Sequence, residues 1–228
     1  MEINCSIPTN FQSRKIDMAQ AREVCSLMQQ RCSYPSYWKC GNIESYKIIY
    51  ENSDVNIRYR KLSELAMDMK PLGDRLDNLR DFYLKYAREP FKYFSKLMEG
   101  IKKFQTLNCG EAARLTYMVC RMNDIAEEDT KVVNIEIPTN EKNQEMDHAI
   151  TKIKGESAVY GIDALLNETN SLGNLAKTYK NKYAEVFRIP ADATIHFVEQ
   201  EIPKLTDEEA KELAKKYPEF LLGGGKIN

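Results

Sequence analysis

The hydrophobic pattern of this 228-residue chain changes near Asn108. Before that residue, apolar side chains recur mostly every three or four positions, which is the period of an amphipathic helix. After it, short runs rich in β-branched residues follow one another, which indicates strands. Helices that precede strands, without regular alternation of the two, are typical of the α+β class. We therefore expect a mainly helical region over residues 1–105, packed on a core of residues 106–228.

The helical region contains several predicted helices and one aromatic-rich segment. Helical spacing predicts helices over residues 15–31, 62–69, 72–87 and 91–104. Pro71 and Gly73 separate the second helix from the third, because proline removes a backbone hydrogen-bond donor. Residues 34–50 are dense in aromatic side chains and end in a predicted strand over residues 45–50. Such a cluster more often belongs to a core than to the wall of a groove.

The core region is expected to form a sheet packed against one helix. A helix is predicted over residues 109–123, and strands over residues 131–137, 148–154, 157–163 and 194–199. The simplest assembly is an antiparallel sheet against the helix that begins at Cys109. Residues 172–183 form either a further helix or a surface excursion. Thr206, followed by three acidic residues, predicts a C-terminal helix that ends near Tyr217.

The charge balance excludes several classes of partner. Lysine and arginine number 33 against 34 aspartate and glutamate, so neither nucleic acid nor an anionic membrane is an expected partner. No run of about 18 apolar residues occurs, and the chain does not start with a basic segment followed by an apolar one. We expect a soluble protein without membrane insertion or a cleavable signal. Nothing in the pattern indicates the oligomeric state.

The cysteines indicate free thiols and no metal. Six cysteines in a chain of this length do not form a disulfide scaffold, so a reducing compartment is expected. Injection into a host cytosol would leave no mark in the sequence and stays open. Cys25, Cys32 and Cys40 lack the spacing of a zinc site and have no histidine near them. No glycine-rich phosphate loop occurs, and no cofactor is expected.

Cys109 stands where a polar turn becomes a helix. At a helix start, unpaired backbone N–H groups and the positive end of the helix dipole stabilise a thiolate. The same N–H groups can bind an oxyanion, and Gly110 leaves room for a substrate carbonyl. A lone cysteine there is more often a small packed residue. Cys109 therefore becomes a candidate nucleophile only if suitable partners lie near it.

His148 and Asp163 are the candidate partners. The chain has only two histidines, His148 and His196, and the first begins a predicted strand. A two-residue type II′ turn at Gly155 and Glu156 would place His148 directly opposite Asp163 on one face of a hairpin. Their Cβ atoms would lie roughly 5 Å apart, within reach of a hydrogen bond. The opposite face would then carry an apolar set, namely Ala149, Ile153, Ala158, Tyr160 and Ile162.

Three segments resemble the transglutaminase-like cysteine enzymes. They are Asn108-Cys109-Gly110-Glu111-Ala112-Ala113, Asp147-His148-Ala149 and Tyr160-Gly161-Ile162-Asp163. That superfamily includes transglutaminases, peptide N-glycanases, some proteases and bacterial toxin deamidases. Its members share a papain-like core in which the cysteine begins a helix and the histidine and aspartate follow on adjacent strands. The resemblance covers residues 108–163 and does not extend to the helical region before them.

The resemblance implies a catalytic triad. Cys109 would be the nucleophile, His148 the general base and Asp163 the residue that orients the base. In the family, proline often follows the aspartate, whereas Ala164 follows it here, which leaves the subfamily open. The chain is compact, its helical region has no counterpart in the resemblance, and the triad is the one catalytic feature that the resemblance supplies. In these respects it is similar to bacterial effector enzymes that modify host proteins.

Four further polar residues are weighed beside the triad. Gln105 and Asn108 are candidate oxyanion donors, and each can equally be a helix cap or a loop residue. Glu111 is interpreted as a structural acidic residue in the first turn of a helix. His196 is the reserve candidate for the base.

Three functions stay open from sequence alone. The first is attack on a carboxamide of a protein substrate through a thioester, which water resolves as deamidation and an amine as crosslinking. The second is a cysteine peptidase or isopeptidase with the same triad. The third is a binding module that keeps the fold without turnover.

Overall fold

The computed structural model describes residues 14–35, 49, 54–139, 145–184 and 189–223. In these ranges the helices are α1 (Met18–Arg31), α2 (Val55–Leu84), α3 (Pro90–Phe104), α4 (Cys109–Met122), α5 (Leu172–Tyr183) and α6 (Asp207–Lys216), followed by a short 3-10 turn at Pro218–Phe220. The strands are β1 (Thr130–Pro138), β2 (Glu145–Lys154), β3 (Val159–Asp163), β4 (Glu168–Ser171) and β5 (His196–Glu199). The predicted α+β class is confirmed.

The strands form one antiparallel sheet in the order β4-β3-β2-β1-β5. Helix α4 packs on one face, where Ile153 of β2 and Ile162 of β3 belong to the same buried cluster as the apolar residues of α4. Helix α5 covers the other face, where Ile150 packs with Leu175 and Tyr179. The alternation of side chains along β2 therefore divides the core into two layers.

Helices α1 to α3 share the larger apolar cluster with α4. The cluster takes Val24 from α1, Leu79 from α2, Phe94 from α3 and Leu115 from α4, all of them buried. Helix α1 starts at a capping box, in which Asp17 and Gln20 satisfy each other's backbone N–H groups. The helical region thus packs directly on the helix that carries Cys109.

The two helices predicted over residues 62–69 and 72–87 are one helix, α2, which contains Pro71. The prediction of a break was wrong: Pro71 and Met67 are exposed, so water can hydrate the Met67 carbonyl that loses its intrahelical partner. The second half of α2 carries buried Leu72, Leu76 and Leu79 at helical spacing, which holds the chain in one helix against the core.

The β2–β3 hairpin has a different register from the predicted one. Lys154 pairs with Val159, and Gly155 N donates to Ala158 O at 2.9 Å, so Glu156 and Ser157 occupy the tip instead of Gly155 and Glu156. Gly155 does not have the positive φ that a type II′ turn requires. Glu156 N donates to Ile16 O at 3.1 Å, and this tertiary contact fixes the turn one residue later.

The remaining secondary-structure predictions concern strand β4, helix α5 and the aromatic segment. Strand β4 was not predicted, and residues 172–183, left open between helix and excursion, form helix α5. The predicted strand over residues 45–50 lies outside the described residues except for Ile49, which is buried and helical. The aromatic segment over residues 34–50 also lies largely outside them. No helix in the described ranges is both long and apolar enough to cross a membrane.

Candidate active site

Cys109 is the first residue of α4 and is partly exposed, with a free thiol. Asn108 precedes it in an extended conformation as the N-cap, and its backbone N donates to Glu111 Oε2 at 3.1 Å. Glu111 is buried, and its Oε1 accepts from Arg80 Nε at 3.1 Å and from Tyr83 OH at 3.2 Å. The carboxylate of Glu111 therefore ties α2 to the start of α4, which agrees with the structural role predicted for it.

His148 and Asp163 are hydrogen-bonded to each other in the interior. His148 Nε2 lies 2.7 Å from Asp163 Oδ2, and each residue is only 1% exposed. The register differs from the predicted one by two residues, so Asp163 is diagonal to His148 rather than directly opposite. Because the shift is even, both side chains stay on the same face, and the predicted contact forms.

Asp163 is held by three further donors. Its Oδ1 accepts from the backbone N of Leu165 at 2.9 Å and of Leu166 at 3.0 Å, and Tyr179 OH donates a short hydrogen bond to Oδ2. Burial and the charge of Asp163 raise the pKa of Tyr179, so the phenol stays protonated and donates. These bonds fix the carboxylate in the orientation that faces the imidazole.

The buried pair has shifted pKa values. Burial by itself lowers the pKa of His148, but charge interactions and hydrogen bonds with Asp163 and, to a smaller extent, with Cys109 together outweigh it, and the net pKa is raised to about 10. Burial by itself raises the pKa of Asp163, but the charge of His148 and the hydrogen bonds from His148, Tyr179 and Leu166 lower it below its usual range. At neutral pH the pair is therefore an imidazolium and a carboxylate.

Cys109 lies next to the same imidazole. A hydrogen bond and a charge interaction between the Cys109 thiol and His148 both contribute to the raised pKa of the histidine. Tyr179 flanks the ring on another side, with an edge-on contact of 5.4 Å between ring centroids. The structure thus brings together all three residues of the predicted triad.

Cys109 opens into a cavity of about 300 Å³ at the start of α4. Its lining comes from α2, α4, β1 and β2, from the N-cap of α4 and from one residue after β5. The lining residues are Arg80, Tyr83, Leu84, Asn108, Cys109, Gly110, Glu111, Arg114, Asn134, Asp147, Ala149 and Gln200. A partly exposed thiol in such a cavity is accessible to small molecules from solvent.

The other candidate site residues, Asn108, Gln105 and His196, differ in whether they line this cavity. Asn108 lines the cavity as the N-cap of α4, the alternative considered for it, and its role as an oxyanion donor stays a prediction. Gln105 is the exposed C-cap of α3, with φ 51°, and is not among the residues that line the cavity. His196 is exposed on the edge strand β5 and does not line the cavity. His148 does not line it either, but its imidazole hydrogen-bonds the Cys109 thiol, so it is the histidine beside the candidate nucleophile.

Sequence reasoning missed two residues of the site, Tyr179 and Arg114. Tyr179 lies on α5, which the sequence did not assign firmly to a helix. Arg114 lies one turn after Gly110 on α4, and a helical projection that starts at Cys109 would have placed it beside the candidate nucleophile. For Tyr179 no local signal existed, because its partner is distant in sequence.

In the parts of the chain that the structure describes, no group of three or more His, Cys, Asp or Glu side chains is arranged to hold a metal ion. Comparisons of the chain with protein-family models, with curated proteins and with solved structures gave no significant match. The function must therefore be argued from the geometry of the site.

Proposed function

We propose that this protein is a cysteine-dependent enzyme that acts on a carboxamide of a protein substrate, as a glutamine deamidase or transglutaminase does. The observation that carries the proposal is the buried 2.7 Å bond between His148 and Asp163, with the Cys109 thiol beside the same imidazole. Covalent acyl transfer requires such a nucleophile, proton carrier and orienting carboxylate. The chain order of the three residues supports a papain-like core of the transglutaminase-like kind.

The first half of the proposed reaction forms a thioester. The Cys109 thiolate attacks the carboxamide carbon, and the carbonyl electron pair moves to oxygen. The backbone N–H groups at the start of α4 stabilise that oxyanion. The raised pKa of His148 makes it an imidazolium at neutral pH, so it donates its proton to the nitrogen. The carbon–nitrogen bond then breaks, and ammonia leaves.

The second half releases the product. The neutral His148 takes a proton from water as the water attacks the thioester carbonyl, and the carbon–sulfur bond breaks. The product is a carboxylic acid, and the departing thiolate faces an imidazolium again because His148 keeps the proton that it took from water. An amine in place of water gives a crosslink. Because Nε2 bonds Asp163, these proton exchanges use Nδ1 of the ring.

The experiment is mass spectrometry of an unfolded, glutamine-rich protein treated with the enzyme, with and without a primary amine. Wild type is expected to convert glutamines with a gain of about one dalton, or to attach the amine. Cys109→Ala and His148→Ala are expected to do neither. Cleavage of the chain instead would reject carboxamide chemistry in favour of a peptidase.

Thiol labelling separates an enzyme from a binding module. At mildly acidic pH, iodoacetamide is expected to alkylate Cys109 faster than it alkylates glutathione. Cys25 and Cys32 are internal controls, because burial raises the pKa of Cys25 to about 11 and of Cys32 to about 12. If Cys109 reacts no faster than glutathione and no glutamine is converted, the proposal fails.

The proposal extends to the compartment. A thiol nucleophile needs reducing surroundings, and Cys25, Cys32, Cys109 and Cys120 are all free thiols. A reducing cytosol, that of the producing cell or of a host into which the protein is delivered, meets this need.

A further inference from the structure

The guanidinium of Arg114 lies against Gly110, the residue next to Cys109. A Cβ atom added at Gly110 would lie 2.7 Å from Arg114 Nη1. The sequence suggested that the missing side chain at Gly110 admits a substrate carbonyl. In the structure, the space that this side chain would fill holds a cation instead.

Other side chains hold Arg114 in this position. Its Nη2 donates to Gln200 Oε1 at 3.2 Å, and Gln200 Nε2 donates to Asn134 Oδ1 at 2.7 Å. All three residues line the cavity of Cys109. A guanidinium that is already oriented loses little conformational entropy when it binds a ligand.

The charge of Arg114 has no carboxylate within salt-bridge distance among the described residues, where its hydrogen-bond partners are the neutral side chains of Gln200 and Tyr93. Arg80, the other arginine of the cavity, is paired with Glu111 at 3.1 Å. Asp147 also lines the cavity, but it is exposed, so water and salt screen its charge. A planar guanidinium held in a cavity matches a carboxylate, which it can bind through two parallel hydrogen bonds.

We propose that Arg114 selects substrates that carry a carboxylate next to the reacting carboxamide, so that an acidic residue adjoins the target glutamine. This inference rests on the proposed function, because it presumes that the carboxamide is bound at Cys109. The guanidinium lies against the residue that follows Cys109, so the carboxylate that it binds belongs to a near neighbour of the glutamine. Arg114 is thus a specificity-determining residue and takes no part in the bond changes.

The test compares two alkylating agents on the full-length protein. Iodoacetate and iodoacetamide form the same thioether at Cys109 and release iodide, but only iodoacetate carries a carboxylate. The measured quantity is the iodoacetate-to-iodoacetamide rate ratio at Cys109, divided by the same ratio for glutathione. Wild type is expected to give a quotient well above one, and Arg114→Gln to lower it about tenfold.

Three further variants keep the test decisive if Arg114→Gln folds poorly. Arg114→Lys keeps the charge and should retain part of the preference. Gly110→Ala keeps Arg114 but displaces its guanidinium, and should lower the quotient. Arg22→Gln removes a positive charge from an exposed position on α1 outside the cavity, and should leave the quotient unchanged.

The outcomes separate the two proposals. A wild-type quotient of about one, or a quotient that Arg114→Gln and Gly110→Ala leave unchanged, overturns the role of Arg114. That result leaves the proposed function standing if iodoacetamide still reacts rapidly with Cys109. A slow iodoacetamide reaction in wild type, together with no conversion of glutamine, instead rejects the proposed function, whatever the quotient is.

Discussion

Tyr179 is the residue whose role is most open to a direct test. Its hydroxyl donates to Asp163, and this hydrogen bond contributes to the lowered pKa of the carboxyl group. Tyr179→Phe is expected to reduce the free energy of unfolding by about 1–2 kcal/mol in urea titrations, because a buried carboxylate loses one donor. The acid limb of the pH profile of Cys109 alkylation should move to higher pH, because the pKa of Asp163 rises.

Tyr160→Phe is the matched control for that experiment. Tyr160 is also buried, but its hydroxyl is 3.1 Å from Ser157 Oγ, in the hairpin and away from the Asp163 carboxylate. Loss of this hydroxyl should lower the free energy of unfolding by less than about 1 kcal/mol and leave the pH profile of Cys109 alkylation unchanged. If the Tyr179 variant also keeps the wild-type profile, its hydroxyl does not position the His148–Asp163 pair.

The raised pKa of His148 determines how the free energy of unfolding should depend on pH. Its pKa is raised from 6.5 to about 10 by the folded structure. Above the unfolded pKa, the folded protein binds one more proton than the unfolded chain, so stability falls as pH rises. The difference in free energy of unfolding between wild type and His148→Gln should be constant below about pH 6.5 and shrink between about pH 6.5 and about pH 10.

Urea titrations at several pH values measure this difference. His196→Gln is the control, because His196 is exposed on β5, and it should stay within about 0.5 kcal/mol of wild type at every pH. A difference for His148→Gln that does not change up to pH 10 would contradict the charged state assigned to the pair.

At the scale of elements, the β2–β3 hairpin depends on Gly155. A methyl group at this position would collide with the carbonyl oxygen of Ile16 and with the ring of Tyr160. Because the backbone of Ile16 cannot move without losing its hydrogen bond to Glu156, we expect Gly155→Ala to cost about 2 kcal/mol in urea unfolding.

Gly173→Ala provides the comparison on helix α5. A Cβ at Gly173 meets nothing within 4 Å, so the substitution should only remove backbone freedom from the unfolded chain. It is expected to stabilise the protein by about 0.5 kcal/mol. Equal effects of the two alanines would show that the contact with Ile16 does not fix the turn.

The same hairpin shows how far the sequence predicts the site. The start of α4 at Cys109 and the shared face of His148 and Asp163 follow from local rules, namely helix capping and the two-residue period of strands. The register does not, because a tertiary contact with Ile16 sets it. A periodic rule thus predicts which side chains meet, while the pairing itself depends on distant residues.

Strand β4 and helix α2 show two further limits of local rules. Strand β4 is the polar run Glu168–Ser171 at an edge of the sheet, so it lacks the apolar alternation that marks a strand. Asn167, with φ 58°, turns the chain back so that β4 pairs with β3. In α2, packing of the residues after Pro71 overrides the local preference for a break.

At the scale of the whole molecule, the helical region forms part of the site. Arg80 and Tyr83 of α2 bond Glu111 and line the cavity of Cys109. Phe94 of α3 stacks on Tyr117 of α4, with 5.5 Å between ring centroids. The boundary predicted near residue 105 therefore separates two regions of sequence that share one core cluster.

This shared core leads to a prediction for the fragment 106–228. Without the first 105 residues, the apolar face of α4 that packs on α1, α2 and α3 would be open to water, and Glu111 would lose Arg80 and Tyr83. In urea titrations monitored by circular dichroism, we expect the fragment alone to show no cooperative unfolding transition. Addition of a separately made fragment 1–105 should restore both the cooperative transition and the rapid alkylation of Cys109.

If the isolated fragment 106–228 unfolds cooperatively at the urea midpoint of the full chain, the helical region is dispensable for the core. Its contacts with Glu111 would then tune the site without holding it together.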